Sequence, residues 1–294
     1  MTSDSNSGKV SLVSRVRRFC GRPWREKIQR IRSRWVEKVP GIPLPMRLPF
    51  GVWWLARNDH VSKPLFGGEF ETAELSFVRR FVQPGMTILD IGAHHGLYTL
   101  LSSRLAGRTG RVYAFEPSPR ERKALLQHVK LNRCKNVKVQ ALALGDADKK
   151  TELYVVDGTE SGCNSLRPPA VTTATSPVSV QVVPLDGWLA EQGIERVDFI
   201  KLDVEGGELD VLRGAVKLLE RAPRPVILAE VQDIRTRAWG YKARDTIDYL
   251  ASKGYEWLAL SKDGATAALD TSATEFDGNF IARPKEFKII LPWV

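Results

Sequence analysis

Cysteine is scarce in this chain: Cys20, Cys134 and Cys163 are the only three among 294 residues. That number excludes a disulfide-stapled scaffold, and the wide spacing excludes a thiolate zinc module and suits a reducing compartment. Histidine is also rare, and none of His60, His94, His95 and His128 has a second histidine at metal-ligand spacing, so packing or surface roles are expected for His60, His95 and His128. No apolar run approaches the ~18 residues of a membrane span, and there are no internal repeats. The first eight residues are polar and Ser-rich, without the charged start, apolar core and small-residue cleavage site of a secretory signal. A cytoplasmic protein is expected. What remains is ordinary globular material, 43% hydrophobic and 27% charged, long enough for one large domain or two small ones.

The formal net charge of +10 suggests a nucleic-acid partner until it is placed along the chain. Residues 1–40 hold eleven Lys/Arg against three acids, whereas the other 254 residues hold 33 against 31. The charge therefore belongs to an appended arm, and nucleic acid is not the expected partner. Within the arm, Trp24, Ile28, Ile31, Trp35 and Val39 recur at helical spacing behind Pro23, with basic residues on the other face. Such an amphipathic helix suits an anionic membrane surface, which would place the protein peripherally at the inner membrane face. It equally suits packing on its own domain or on a second subunit of a homo-oligomer.

A proline-rich linker follows, and the expected organisation is an arm at 1–40, a linker with a strand and a helix at 41–75, a catalytic domain at 76–283 and a tail at 284–294. Short apolar runs at 87–90, 111–116, 137–144, 197–203, 226–231, 256–260 and 279–282 alternate with helical stretches at 98–106, 119–132, 208–219 and 243–253. Alternation of this length predicts an α/β fold with a seven-stranded, mostly parallel sheet covered on both faces. The last two runs lack room for a helix between them, so the final strand is expected to be antiparallel. Residues 145–183 break the pattern and read as a β-rich insertion at the carboxyl edge of the sheet, where α/β proteins bind ligands.

The segment Ile88-Leu-Asp-Ile-Gly-Ala-His-His-Gly96 sets Asp90, Gly92 and Gly96 as D-x-G-x-x-x-G at a strand end. A dinucleotide fingerprint needs glycine where His94 stands, to clear space for a pyrophosphate. A cofactor without one is implied, its amino-acid-like group meeting the helix start. Glu116 closes the next strand, where a carboxylate can accept from both hydroxyls of a ribose, so the two sites together imply an adenosine ligand. The competing reading makes Asp90 and Glu116 solvated caps of nearby helices.

Three segments carry a family resemblance: Pro84-Gly-Met-Thr-Ile-Leu-Asp-Ile-Gly-Ala-His-His-Gly96, Val112-Tyr-Ala-Phe-Glu-Pro117, and the more specific Val197-Asp-Phe-Ile-Lys-Leu-Asp-Val-Glu-Gly-Gly-Glu-Leu-Asp-Val-Leu-Arg-Gly-Ala215. With them, residues 70–282 resemble the FkbM family of S-adenosylmethionine-dependent methyltransferases. The resemblance implies a Rossmann-like methyltransferase fold, S-adenosylmethionine as cofactor and O-methylation of a sugar, glycolipid, polyol or polyketide hydroxyl. It implies a cofactor site from Glu71, Asp90, Gly92, Ala93, His94, Gly96, Tyr98, Glu116, Pro117 and Asp203. His94 departs from the Asn of many relatives.

Lys201, Asp203 and Glu205 stand two apart at a strand end, so continued extension would put them on one face. Glu230, ending the neighbouring run, can pair with Lys201 or join Asp203 facing the acceptor. Methyl transfer to an alcohol needs an aligned acceptor and a proton sink. Asp203 and Glu230 lead as the base, with Glu205 and His94 behind. Alternatively a divalent cation on Asp203 and Glu230 lowers the hydroxyl pKa, or the charged residues form only a structural ion-pair network. Asn164 and Ser165, in a small-polar segment of the insertion, are candidates with Lys201 and Glu205 for contacts to a small-molecule, glycan or lipid-linked glycan acceptor. The rival class is a non-catalytic membrane-surface or scaffolding protein that retains the fold.

Overall fold

A computed structural model describes residues 23–39, 41–158 and 161–287, apart from the side chains of Arg25 and Ser161. Most of the basic arm, Cys20 and the end of the tail lie outside the described residues. The chain divides into two compact units, one of residues up to 44 together with 56–70, the other of 45–55 and 71 onward. None of the helices among the described residues is long and apolar enough to cross a membrane.

In the first unit, Pro23 precedes helix α1 (Trp24–Lys38), with Glu26 in its first turn and Lys38 in its last, the polarity that complements a helix dipole. Trp24, Ile31 and Trp35 of its aromatic and aliphatic stripe are exposed, whereas Val36 is buried. Lys63 and Glu37 form an ion pair at 3.1 Å.

Two short strands, β1 (Leu44–Arg47) and β2 (Trp53–Ala56), pair with each other. The first unit then adds helix α2 (Ser62–Gly67), whose start is held by Asp59 Oδ1 accepting from the backbone of Val61 and Ser62. The second unit continues with α3 (Thr72–Phe81), β3 (Thr87–Ile91), α4 (Leu97–Ala106), β4 (Arg111–Phe115), α5 (Pro119–Leu131) and β5 (Val137–Gln140). Next come β6 (Ala143–Leu144), β7 (Lys149–Val156), β8 (Thr175–Val183), α6 (Leu185–Glu191), β9 (Phe199–Leu202), α7 (Glu208–Arg213) and α8 (Val216–Glu220). The remainder is β10 (Val226–Gln232), α9 (Asp233–Thr236), α10 (Ala243–Ser252), β11 (Tyr255–Leu260), β12 (Thr266–Ala268) and β13 (Asp277–Pro284).

The main sheet runs β12-β11-β13-β10-β9-β3-β4-β5. Strand β13 is antiparallel to both neighbours, while β5, β4, β3, β9 and β10 are mutually parallel. The sheet has eight strands rather than seven, because Thr266–Ala268 adds an antiparallel edge to β11. Its three small residues carry no apolar pattern that would announce a strand. The run 137–144 also divides: its second part leaves the main sheet and pairs with β8, which with β7 forms the three-stranded insertion.

Alternate residues of the parallel strands serve opposite faces. Ile88, Val112, Phe199, Val226 and Leu228 pack with Phe77, Phe81 and Leu101 of α3 and α4. Leu89, Ile91, Phe115, Ile200, Leu202 and Ile227 pack with Trp188, Leu212, Ile247 and Leu250 of α6, α7 and α10. Register then brings Asp90 opposite Lys201 and Ile91 opposite both Phe115 and Leu202. The chain leaves β3 toward β4 on one side, while β9 lies on the other, so the crevice at their carboxyl ends is the switch point where such sheets bind ligands.

His128, expected to be packing or surface, is fully buried and ties three segments together. Its ring stacks on Trp54 at 4.1 Å, its Nε2 accepts from Leu55 N at 2.9 Å, and its Nδ1 lies 2.7 Å from the carbonyl of His95. Because Nε2 is an acceptor, Nδ1 carries the proton and donates to that carbonyl. The β3–α4 loop is thereby braced from behind. Replacing His128 with Phe keeps the ring and removes both hydrogen bonds, and each buried group left unsatisfied costs about 1–3 kcal/mol. A lowered denaturant midpoint is expected, and an unchanged one would reduce the ring to packing.

Candidate active site

The β3–α4 loop folds back on β4 because Gly92 N and Ala93 N both donate to the carbonyl of Phe115, at 3.1 and 3.0 Å. Gly92 has φ +82°, and a Cβ there would lie 1.7 Å from the carbonyl oxygen of Asp203. Only glycine lets the loops after β3 and β9 touch. His94 takes φ +49° and donates its N–H to Glu116 Oε2 at 2.7 Å. Glu116 Oε1 accepts from Ser118 N at 2.8 Å. Each carboxylate oxygen keeps a second lone pair, so Glu116 can still accept from two ribose hydroxyls. Pro117 is half-buried, and its carbonyl accepts from Arg122 at 2.7 Å.

Asp90 is buried at the strand end and accepts from Thr99 Oγ1, with its carboxyl pushed up to about 6 by burial. Burial likewise raises Glu116 to about 8, against the two backbone N–H groups that favour its charged form. Glu71 precedes α3 in the left-handed region at φ +42° and accepts from the hydroxyl of Tyr98. Burial raises it to about 7, partly opposed by Lys201.

Lys201 is 2% exposed, and its Nζ donates to Asp203 Oδ2 at 3.0 Å and to Asn279 Oδ1 at 3.1 Å. Burial pulls its pKa down, but the combined charges of Asp203, Glu71 and Glu230 outweigh that and hold the ammonium protonated. Extended geometry does not continue through 205, since Glu205 turns left-handed at φ +58°. This turn, rather than a common strand face, lets oxygens of Asp203, Glu205 and Glu230 approach within 4.8 Å of one another. Glu205 is paired with Arg235 at 2.8 Å and is raised to about 8, by burial first and then by Asp203. Glu230 is raised well above the carboxylate range by burial and by the charges of Asp203, Glu205 and Glu208. Its Oε2 is buried without a hydrogen-bond partner among the described residues.

Glu208, at the start of α7, is 2% exposed and accepts from Val204 N at 2.9 Å and Gly206 N at 3.3 Å, clamping the loop after β9. Gly206 has φ +102°, and a Cβ would meet the Arg235 carbonyl at 2.5 Å. Several expectations are corrected. His94 is gathered elsewhere than with the acidic triad. Its ring stacks on His95 at 3.9 Å, and the pair converges with Glu121, which is already held by Ser118 and Arg120. Two histidines thus do meet, through stacking of neighbours that sequence spacing did not suggest. Asn164 spends its Oδ1 on Val156 N at 2.8 Å, a local backbone bond that fixes the insertion. Ser165 is 3% exposed, donates to the Glu205 carbonyl at 2.8 Å and accepts from Trp239 Nε1 at 3.3 Å. Thr99, Glu208, Arg235, Trp239 and Asn279 were missed as supports of the site.

Glu116 yields a pH test. Its folded pKa of about 8 lies above the ordinary 4.5, so its contribution to stability is present below about 4.5 and is lost as pH rises through about 8. Glu116→Gln, which cannot ionise, is expected to flatten part of the fall in melting temperature of the unliganded chain between those limits. Parallel curves for the two proteins would contradict the assignment.

Residues 90–257, more than half of the chain and the span holding Asp90, Glu116, Asp203 and Glu230, match the family described as methyltransferase FkbM domain. The AMB antimetabolite synthetase AmbE of Pseudomonas aeruginosa is 28% identical over 221 residues, covering 64% of this chain and 10% of that protein. The 2-O-methyltransferase NoeI of Sinorhizobium fredii is 27% identical over 166 residues, covering 51% and 67%. Methyltransferase 1 of Beauveria bassiana is 30% identical over 143 residues, covering 43% and 57%. The chain thus spans a tenth of the first of these relatives and 67% and 57% of the other two. Among solved structures, the FkbM methyltransferase of Methylobacillus flagellatus is 17% identical with a TM-score of 0.42, covering 76% of this chain and 55% of that one. An O-methyltransferase from Bacillus cereus in complex with SAH is 15% identical with a TM-score of 0.42, covering 72% and 79%. On the family match, which runs from the acid at the end of β3 into β11, the chain belongs to the FkbM methyltransferase-domain family.

Proposed function

We propose that this protein is an S-adenosylmethionine-dependent O-methyltransferase acting on a hydroxyl of a sugar, glycolipid or related polyol or polyketide. The observation that carries the reading is the placement, at the same carboxyl edge of the sheet on either side of β3, of a ribose-type acid, Glu116, and an acidic cluster containing a carboxylate oxygen left without a partner among the described residues, on Glu230. The acidic cluster suits a sulfonium, whose positive charge it attracts. The 2-O-methyltransferase name of one relative agrees with transfer to an oxygen.

Glu116 takes the ribose hydroxyls, and the β3–α4 loop with Glu71 and Tyr98 borders the amino-acid portion. S-adenosylmethionine held there would supply the methyl group for in-line transfer to the acceptor oxygen, its C–S electron pair staying with sulfur, and a carboxylate of this chain would take the proton that the acceptor hydroxyl gives up. Asp203 is tied to Lys201, so it orients the hydroxyl, and Glu230 is the proton acceptor. Its pKa, raised well above the ordinary carboxylate value by burial and by the neighbouring acids, makes it a stronger base than an ordinary carboxylate. Lys201, itself held by Asn279, keeps Asp203 in place.

The convergence of Asp203, Glu205 and Glu230 supports a second reading of the same cluster. An all-carboxylate set fits a hard divalent cation, which would be held by Asp203 and Glu230 and would lower the acceptor pKa. The exposed stripe of α1 is compatible with peripheral attachment to an anionic inner membrane surface, where a lipid-linked glycan would be delivered.

The test offers labelled S-adenosylmethionine and glycan and lipid extracts of the native host to the wild type and to Glu116→Ala and Glu230→Gln variants. The mass gain of one methyl group is followed. Glu116→Ala is expected to lose cofactor affinity, whereas Glu230→Gln keeps it and loses about 10²–10⁴-fold in turnover, the usual share of general-base catalysis. Cofactor binding without a methylated product in any fraction would favour the non-catalytic alternative.

A further inference from the structure

At the amino ends of β4 and β5, the opposite end of the sheet from the acidic cluster, the second unit carries an open cavity of about 1270 Å³. Its walls are the turn from α4 into β4, the turn from α5 into β5, and the tip of the β1–β2 hairpin around Gly51. Six cations line it: Arg104, Arg108, Arg111, Arg133, Lys135 and Lys138. No Asp or Glu lines it. None of the six forms an ion pair with a carboxylate among the described residues, although cations elsewhere on this unit, such as Arg120, Arg196, Arg224, Arg244 and Arg283, do.

The concentration of charge is specific to this place, since the chain beyond residue 40 is almost neutral. Two helix carboxyl ends also point here, and each contributes about half a negative charge. Asn136 Nδ2 already occupies the carbonyls of Ser103 and Gly107 at 2.9 and 2.8 Å, so the helix ends offset about one of the six positive charges at most. The backbone shapes the wall: a Cβ on Gly51, at φ +83°, would come within 3.1 Å of the Arg104 guanidinium carbon.

We propose that this cavity is a binding site for a ligand carrying two or more phosphate groups. Guanidinium forks match phosphate oxygens in pairs, and Lys adds point charges, so four Arg and two Lys around one concavity suit a diphosphate better than a single carboxylate. The volume exceeds what one phosphate fills. A nucleic-acid strand would call for a basic stripe along a face with stacking platforms, whereas these exposed charges line one open hollow. Trp53 and Leu131, 46% and 41% exposed, form an apolar shoulder that an organic portion of the ligand can cover. The site is separate from the methyl-transfer reading and does not depend on it.

The test titrates inorganic pyrophosphate into the full chain by calorimetry at near-physiological salt. It compares the wild type with an Arg104→Gln/Arg133→Gln/Lys138→Gln triple variant. A second triple, Lys150→Gln/Lys217→Gln/Lys262→Gln, removes the same charge from exposed positions outside the cavity. Saturable binding is expected in the wild type, weakened roughly tenfold or more in the cavity triple and nearly unchanged in the control, as directed phosphate contacts require. Flotation with phosphatidylcholine vesicles doped with a polyprenyl diphosphate distinguishes the sources. Vesicle binding lost in the cavity triple and displaced by pyrophosphate marks a lipid-borne headgroup, and pyrophosphate binding alone marks a soluble ligand. Absence of binding to both probes, or equal weakening in the two triples, overturns the proposal, and matching melting temperatures exclude misfolding as the cause of a loss.

Discussion

Burying an ammonium at the end of a central strand forces the surroundings to answer its charge. Lys201 is almost without solvent, and an unpaired buried cation would cost several kcal/mol. Its hydrogen bonds to Asp203 and Asn279 draw together β9 and the antiparallel β13, and Asn279 reaches on to Glu74 at 3.2 Å. Glu71 and Glu230 add their charges from α3 and β10. One cation therefore organises acids from three parts of the second unit, and an amide from a fourth, around the crevice where α/β sheets place their ligands.

The two loops over that crevice are held by backbone contacts more than by side-chain packing. Gly92 against the Asp203 carbonyl joins them, Glu116 anchors one through His94 N, and Glu208 clamps the other through Val204 N and Gly206 N. Behind the first loop, Trp54 and His128 form a second support. Such over-determination lets residues with positive φ, His94 and Glu205, persist at their positions. It also means that the site's carboxylates were brought together at a cost, visible in the upward pKa shifts of Asp90, Glu116, Glu205 and Glu230.

Much of this was legible in the sequence, for reasons that are local. Apolar runs alternating with amphipathic helices reveal a parallel sheet, and glycine spacing after Asp90 reveals a tight turn, because both depend on near neighbours. The antiparallel pairing of 256–260 with 279–282 followed from the short connection. What stayed hidden depends on segments distant in sequence. Asn279 faces Glu230 because β13 inserts between β10 and β11, and no local pattern reveals an insertion. Arg235 and Trp239 arrive from the turn after β10. The structural use of Asn164 was hidden because its Oδ1 serves a backbone N–H eight residues away in the sequence, a use that composition does not reveal.

The central claim is that one crevice, between the ends of β3, β4 and β9, cradles an adenosyl cofactor and points its sulfur at the acidic cluster. A crystal structure of the full chain with S-adenosylhomocysteine tests it most directly. The account requires both ribose hydroxyls on the carboxylate of Glu116 and the sulfur facing Asp203 and Glu230. A nucleoside seated away from Glu116, or Asp90 and Glu116 opening onto different pockets, would contradict it.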